Sequence, residues 1–158
     1  MRSRNKQLKE VDYGFATEKA RQFIRDYGID WLPVDPFEIA EKMGLEVKTI
    51  ERLSEETGID RFRLIKSVID SEDGLAIYDP DTNEYKIVIN EQVEPYGRIR
   101  WTMMHEIGHI VLGHLNDFRQ TSITRRNLND EEYDALEQEA HIFAGEVLAP
   151  KYILYRIG

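Results

Sequence analysis

Apolar residues fall at helical spacing in four stretches and alternate in three shorter ones. Ala20, Phe23, Ile24 and Tyr27 mark one face of a first helix, with Thr17 as its cap and Gly28 as its stop. Asp35 and Pro36 open a second, short helix that ends at Gly44. The run 45–50 alternates as a strand does. Two further alternating runs, 75–78 and 85–89, flank the turn-rich segment 79–84 and read as a hairpin. Ile99, Met103, Ile107, Ile110 and Val111 line a third helix over 95–112, with Pro95 in its first turn and Gly113 just past its end. Asn129 and Glu132 form a capping box for a fourth helix. It runs through Tyr133, Leu136, Ala140, Phe143, Ala144, Val147 and Leu148, and Pro150 ends it. Residues 51–73 are ambiguous. Ile59, Phe62, Ile65, Lys66 and Ile69 suggest a helix, whereas the flanks are acidic and loop-like. Residues 114–128 read as a polar loop, and 1–12 as a flexible basic arm. The order predicts an α+β fold, with a small antiparallel sheet packed on helices in a single domain over 13–158.

Composition narrows the class. With 41% hydrophobic and 32% charged residues, the 158-residue chain is an ordinary globule large enough for a real core. No apolar run approaches a membrane span, and the basic N-terminus lacks the apolar stretch of a secretory signal. The cytoplasm is the expected location. Cysteine is absent, so any metal must take imidazole and carboxylate ligands. A net charge of −9 repels phosphate backbones, so direct nucleic-acid binding is not expected. The same charge would favour a basic protein partner, although solubility alone accounts for it equally well. The basic clusters Arg61/Arg63/Lys66 and Arg125/Arg126 read as solvated faces or carboxylate partners.

The chemistry concentrates on the third helix. His105, Glu106 and His109 spell H-E-x-x-H, and histidine is scarce, with four in the chain. The pattern arises by chance in roughly one such chain in a hundred, so its helical context matters. Positions i and i+4 share a helix face. Both imidazoles can therefore reach one ion, with the carboxylate between them free to serve as a general base. A buried helix with two ordinarily hydrogen-bonded histidines is the bland reading. Polar side chains on so apolar a helix are expensive to bury without a strong partner, and a metal is such a partner.

A catalytic ion needs a third protein ligand and an open fourth position. The metzincin pattern fails, because Leu112 and Leu115 stand where its glycine and third histidine belong. The H-x-x-E-H order is absent too. A carboxylate from the fourth helix remains. Glu137 shares a face with Ala140, His141 and Ala144, small residues that let this helix press against the H-E-x-x-H helix where Gly108 thins it. Glu139, about 200° around an ideal helix from Glu137, is the alternative ligand. Glu139 and Glu146 otherwise read as solvated. His114, His141 and Tyr133 are the candidates for stabilising an oxyanion, and His141 could instead support a ligand from behind. Zn2+ is the expected ion, with Mn2+ as a substitute.

These motifs resemble those of the ImmA/IrrE family of metallopeptidases. Arg98-x-x-Trp-Thr-x-x-His-Glu-Ile-Gly-His109 is similar to the family's approach to its H-E-[LI]-G-H. Glu137-x-Glu-Ala-x-x-Phe-Ala144, running on to Pro150, is similar to its E-x-E-A-N-x-F-A motif. Here His141 takes the place of the usual Asn, and Val147-Leu-Ala-Pro150 replaces Leu-Leu-Met-Pro. The stretch from Val34 to Gly44 is similar to the short helix these proteins carry before their first strand. The resemblance covers roughly 15–150. It implies a minimal zincin-like domain of the gluzincin type and zinc-dependent endopeptidase activity. It also implies a protein substrate, a helix-turn-helix DNA-binding repressor of mobile elements or stress regulons. An edge strand such as 75–78 would hold the substrate. Two other functions remain open: a metal-dependent amidohydrolase with a closed pocket, and a non-catalytic metal-binding sensor with a fourth protein ligand.

Overall fold

A computed structural model describes residues 10–117, 122–123 and 128–149. Most of the expected basic arm, the Arg125/Arg126 pair and Pro150 lie outside the described residues. Helix α1 (Tyr13–Asp26) starts earlier than Thr17 suggested. Asp12 is its cap, accepting from the Phe15 amide at 2.9 Å, and Phe15 and Ala16 extend the buried stripe of Ala20, Phe23 and Ile24. Helix α2 (Pro36–Lys42) is capped by Asp35 as expected. Gly28 (φ +58°) and Gly44 (φ +74°) end the two helices in the left-handed region that glycine enters without a Cβ penalty.

Strand β1 (Glu46–Thr49) leads into the ambiguous segment, which is helical in three pieces. These are α3 (Ile50–Thr57), the single turn α4 (Arg61–Arg63), and a π-helix over Leu64–Ile69. The wider π turn breaks the 3.6-residue period, and Phe62 faces solvent, which is why the pattern there was mixed. Ile50, Leu64 and Ile69 form a small second core with Leu75 and Val88.

The expected hairpin is present as β2 (Gly74–Asp79) and β3 (Glu84–Ile89), paired antiparallel with Ala76 opposite Ile87. The sheet is mixed, not wholly antiparallel as expected. Its order is β1-β3-β2, and β1 runs parallel to β3 with Val47 opposite Ile87. The helical segment and β2 intervene between β1 and β3. A connection that long is what parallel neighbours require. Central β3 sends Ile87 and Ile89 into the main core and Val88 into the second.

Helix α5 (Tyr96–Val111) is the expected third helix, with Pro95 as its cap residue and not in its first turn. The segment expected to be a polar loop begins with the turn α6 (His114–Asp117), where His114 and Leu115 are buried. Helix α7 (Asp130–Leu148) is capped by Asn129, which accepts from the Glu132 amide at 2.8 Å. Both α1 and α5 pack against α7. Gly108 sets the closest approach: a Cβ there would lie 3.0 Å from Phe143 Cδ1 and 3.4 Å from the Ala140 carbonyl oxygen. Phe143 is fully buried and meets Phe23 of α1 edge-on, with ring centroids 5.2 Å apart. The α5–α7 contact needed to bring two helices to one ion is thus built from a glycine, an alanine and an aromatic plug.

Candidate metal centre

One turn apart on α5, His105 and His109 are both buried, and their rings meet edge-on with centroids 4.8 Å apart. Their Nε2 atoms converge on one carboxylate from α7. His105 Nε2 lies 2.9 Å from Glu137 Oε2, and His109 Nε2 lies 2.9 Å from Glu137 Oε1. One ligand atom from each of the three residues lies within 4.8 Å of the others. Ligand atoms about 2.1 Å from a tetrahedral Zn2+ sit about 3.4 Å apart, so small adjustments would admit an ion.

The polar atoms test that fit. Each α5 histidine turns its Nδ1 to another imidazole: His105 to His141 Nδ1 at 3.0 Å, and His109 to His114 Nδ1 at 2.8 Å. Protons on Nε2 let both histidines hydrogen-bond to Glu137; with the protons on the Nδ1 atoms instead, as metal ligation requires, two Nε2 lone pairs and a carboxylate face one point as acceptors. Such a set needs a cation between its members. Burial raises the Glu137 pKa, but the hydrogen bonds and charges of His105 and His109 outweigh it and hold the carboxyl well below its usual range. Two imidazoles and an ionised carboxylate are a donor set suited to Zn2+.

Glu106 is buried beside this group but outside it. Its Oε1 accepts the Ala76 amide of β2 at 2.7 Å. Burial pushes its carboxyl up to about 7, helped by the Glu137 charge and opposed by His105 and the Ala76 amide. Since Ala76 spends its N–H on Glu106, that position of the β2 edge cannot donate to an added strand. His105, Glu106 and Glu137 open on a cavity of about 290 Å³, also lined by Asp73, Leu75, Trp101, Thr102 and Tyr133.

The other candidates separate. His141 and Tyr133 line the cavity, and His141 stands edge-on to Trp101 at a centroid distance of 5.4 Å. Partial burial and the neighbouring His105 lower the His141 pKa. His114 is fully buried behind His109, away from the cavity lining, which removes it as an oxyanion donor. Glu139, the alternative ligand and otherwise a solvated residue, is corrected on both counts. It is 0% exposed, pairs with His114 Nε2 at 2.9 Å, and accepts the Asp12 amide at 2.9 Å. Two residues from Glu137 on a helix, its side chain is carried to the far side of α7, toward α1. The available signal was its place on the apolar stripe, three residues after Leu136 and four before Phe143. Glu146 is half-buried. All four histidines of the chain thus belong to one connected cluster.

Among the described residues, no helix is long and apolar enough to cross a membrane. No curated protein sequence gave a significant match. The family model of the IrrE N-terminal-like domain, a peptidase family, matches residues 40–156, a span that holds β1 through α7 and every side chain around the cavity. That match suggests metallopeptidase activity, with which the His105–His109–Glu137 group is compatible. Since the match extends over well over half of its length, the chain belongs to the IrrE N-terminal-like domain family.

Proposed function

We propose that the protein is a zinc-dependent endopeptidase whose substrate is a basic DNA-binding protein, a helix-turn-helix repressor in the cytoplasm. The convergence of His105, His109 and Glu137 beside an off-centre Glu106 carries this reading. His105, His109 and Glu137 would hold the ion. When bound, Zn2+ supplies Lewis acidity and lowers the pKa of a water to about 7. Glu106 Oε1 is fixed by the Ala76 amide, which leaves Oε2 to take the proton of the attacking water and return it to the leaving amine. His141 and Tyr133 line the cavity where charge would develop on the carbonyl oxygen, and are the side chains proposed to stabilise it. The net charge of −9 favours encounter with a basic protein. A purely structural metal site would use a fourth protein ligand, and among the described residues none joins the group.

The test measures bound zinc in the wild type, His109→Ala and Glu106→Gln, then incubates each with the purified repressor encoded beside its gene. The wild type should bind zinc and cut. His109→Ala should lose both properties. Glu106→Gln should keep zinc and lose cleavage by about 10²–10⁴-fold. Cleavage that persists at the wild-type rate in Glu106→Gln would end the proposal.

A further inference from the structure

Behind His109 runs a buried chain of polar groups. His109 Nδ1 meets His114 Nδ1 at 2.8 Å, His114 Nε2 meets Glu139 Oε1 at 2.9 Å, and Glu139 Oε2 receives the Asp12 amide at 2.9 Å. His114 and Glu139 are both 0% exposed. With Glu139 ionised and both histidines neutral, one assignment of protons satisfies every contact of this chain. A backbone amide can only donate, so Glu139 accepts there. An ionised Glu139 then accepts again from a protonated His114 Nε2. A neutral His114 has its lone pair on Nδ1, which must receive a proton from His109 Nδ1. His109 is left with its lone pair on Nε2, the atom aimed at Glu137.

We propose that His114 and Glu139 are positioning residues that lock His109 in the tautomer and ring orientation needed to bind the metal. The relay is anchored on the first residue before α1. Asp12 lies outside the family-matched span of 40–156, so the N-terminal helix serves the metal centre as well as the core. This inference rests on the metal-centre reading above. Carboxylate-backed imidazoles bind metal more tightly because the ligand nitrogen is more basic and the ring is already oriented. The relay inserts a second imidazole between carboxylate and ligand.

The test compares His114→Gln with His114→Leu, two substitutions of similar volume. A glutamine amide can accept from His109 Nδ1 and donate to Glu139, whereas leucine can do neither. Zinc affinity is read by competition with a chromophoric chelator, and ligand geometry by the visible spectrum of the Co2+-loaded protein. His114→Leu should weaken zinc binding about 10–100-fold and alter the Co2+ spectrum, and Glu139→Gln should do likewise. His114→Gln should recover most of the affinity. Equal affinities for the Gln and Leu variants would reduce the relay to ordinary packing and overturn the proposal. Should the Leu variant not fold, ¹⁵N NMR of the wild-type histidines decides: His114 should carry its proton on Nε2, and a proton on Nδ1 would overturn the relay. A wild type that binds no zinc would sink the proposed function instead, and the His114 tautomer in the metal-free protein would still judge the relay.

Discussion

The two α5 histidines are supported in opposite ways. His109 is backed by His114 and then by Glu139, in a chain closed off from water and tied to the α1 backbone. His105 is backed by His141, an exposed residue on the cavity wall beside Trp101. One arm is rigid and dry, the other wet and facing the place where substrate would sit. Buried polar groups are costly unless every partner is present, so the first arm contributes to folding as well as to site geometry. The second can exchange its partners with water at little cost. A site that must hold an ion yet admit a peptide benefits from having one ligand on each kind of support.

The sharpest way to break this comparison is to cut each arm at its second imidazole. His114→Leu leaves the Glu139 carboxylate buried without its imidazole and should cost about 3–5 kcal/mol of stability in the metal-free protein. His141→Leu, at an exposed site, should cost under about 0.5 kcal/mol. Denaturant melts of both variants would show the gap, and equal costs would mean that the arms do not differ as described. A smaller effect tests the contact that brings both arms together. Gly108→Ala places a Cβ 3.0 Å from Phe143 Cδ1, and such overpacking should cost about 1–3 kcal/mol. It should also weaken zinc binding in chelator competition, because α5 and α7 must part to relieve the clash.

The subtlest effect concerns Glu106, which lies between the arms. Its carboxyl is raised from 4.5 to about 7 in the folded chain, so between these values the folded state keeps a proton that the unfolded state has released. Its contribution to stability is therefore full below about 4.5 and is lost as pH rises through about 7. Glu137, lowered below 4.5, acts with the opposite sign and in a more acidic window. His141, whose pKa is lowered from 6.5, acts with the opposite sign as pH falls below that value, so the wild type alone does not isolate Glu106. The difference in melting temperature between metal-free wild type and Glu106→Gln should decline from pH 4.5 to 7; a flat difference would remove the buried-carboxyl picture.

Much of this was legible in the chain. H-E-x-x-H marked the two imidazoles because a four-residue step on a helix is a fixed distance, and Glu137 stood out among small residues on its face. The Asp35 cap, the 75–89 hairpin and the Gly108 constriction follow from equally local rules. The parallel pairing of β1 with β3 did not, since strand order depends on which elements the chain wraps between. The π-helix was hidden because its wider turn departs from the period by which helices are recognised. Glu139 was misread because a charged residue on a long helix is ordinarily solvated, and the partners that make its burial tolerable, His114 and the Asp12 amide, lie far away in sequence.

Sequence by itself determined the reactive set and the helices that bear it, because residue identity and helical repeat are properties of a few neighbouring positions. Only tertiary structure decided which carboxylate faces the imidazoles and which supports them from behind. Two glutamates two positions apart in the sequence point to opposite sides of α7, and the packing of α5 on one side and α1 on the other assigns Glu137 to the cavity and Glu139 to the interior.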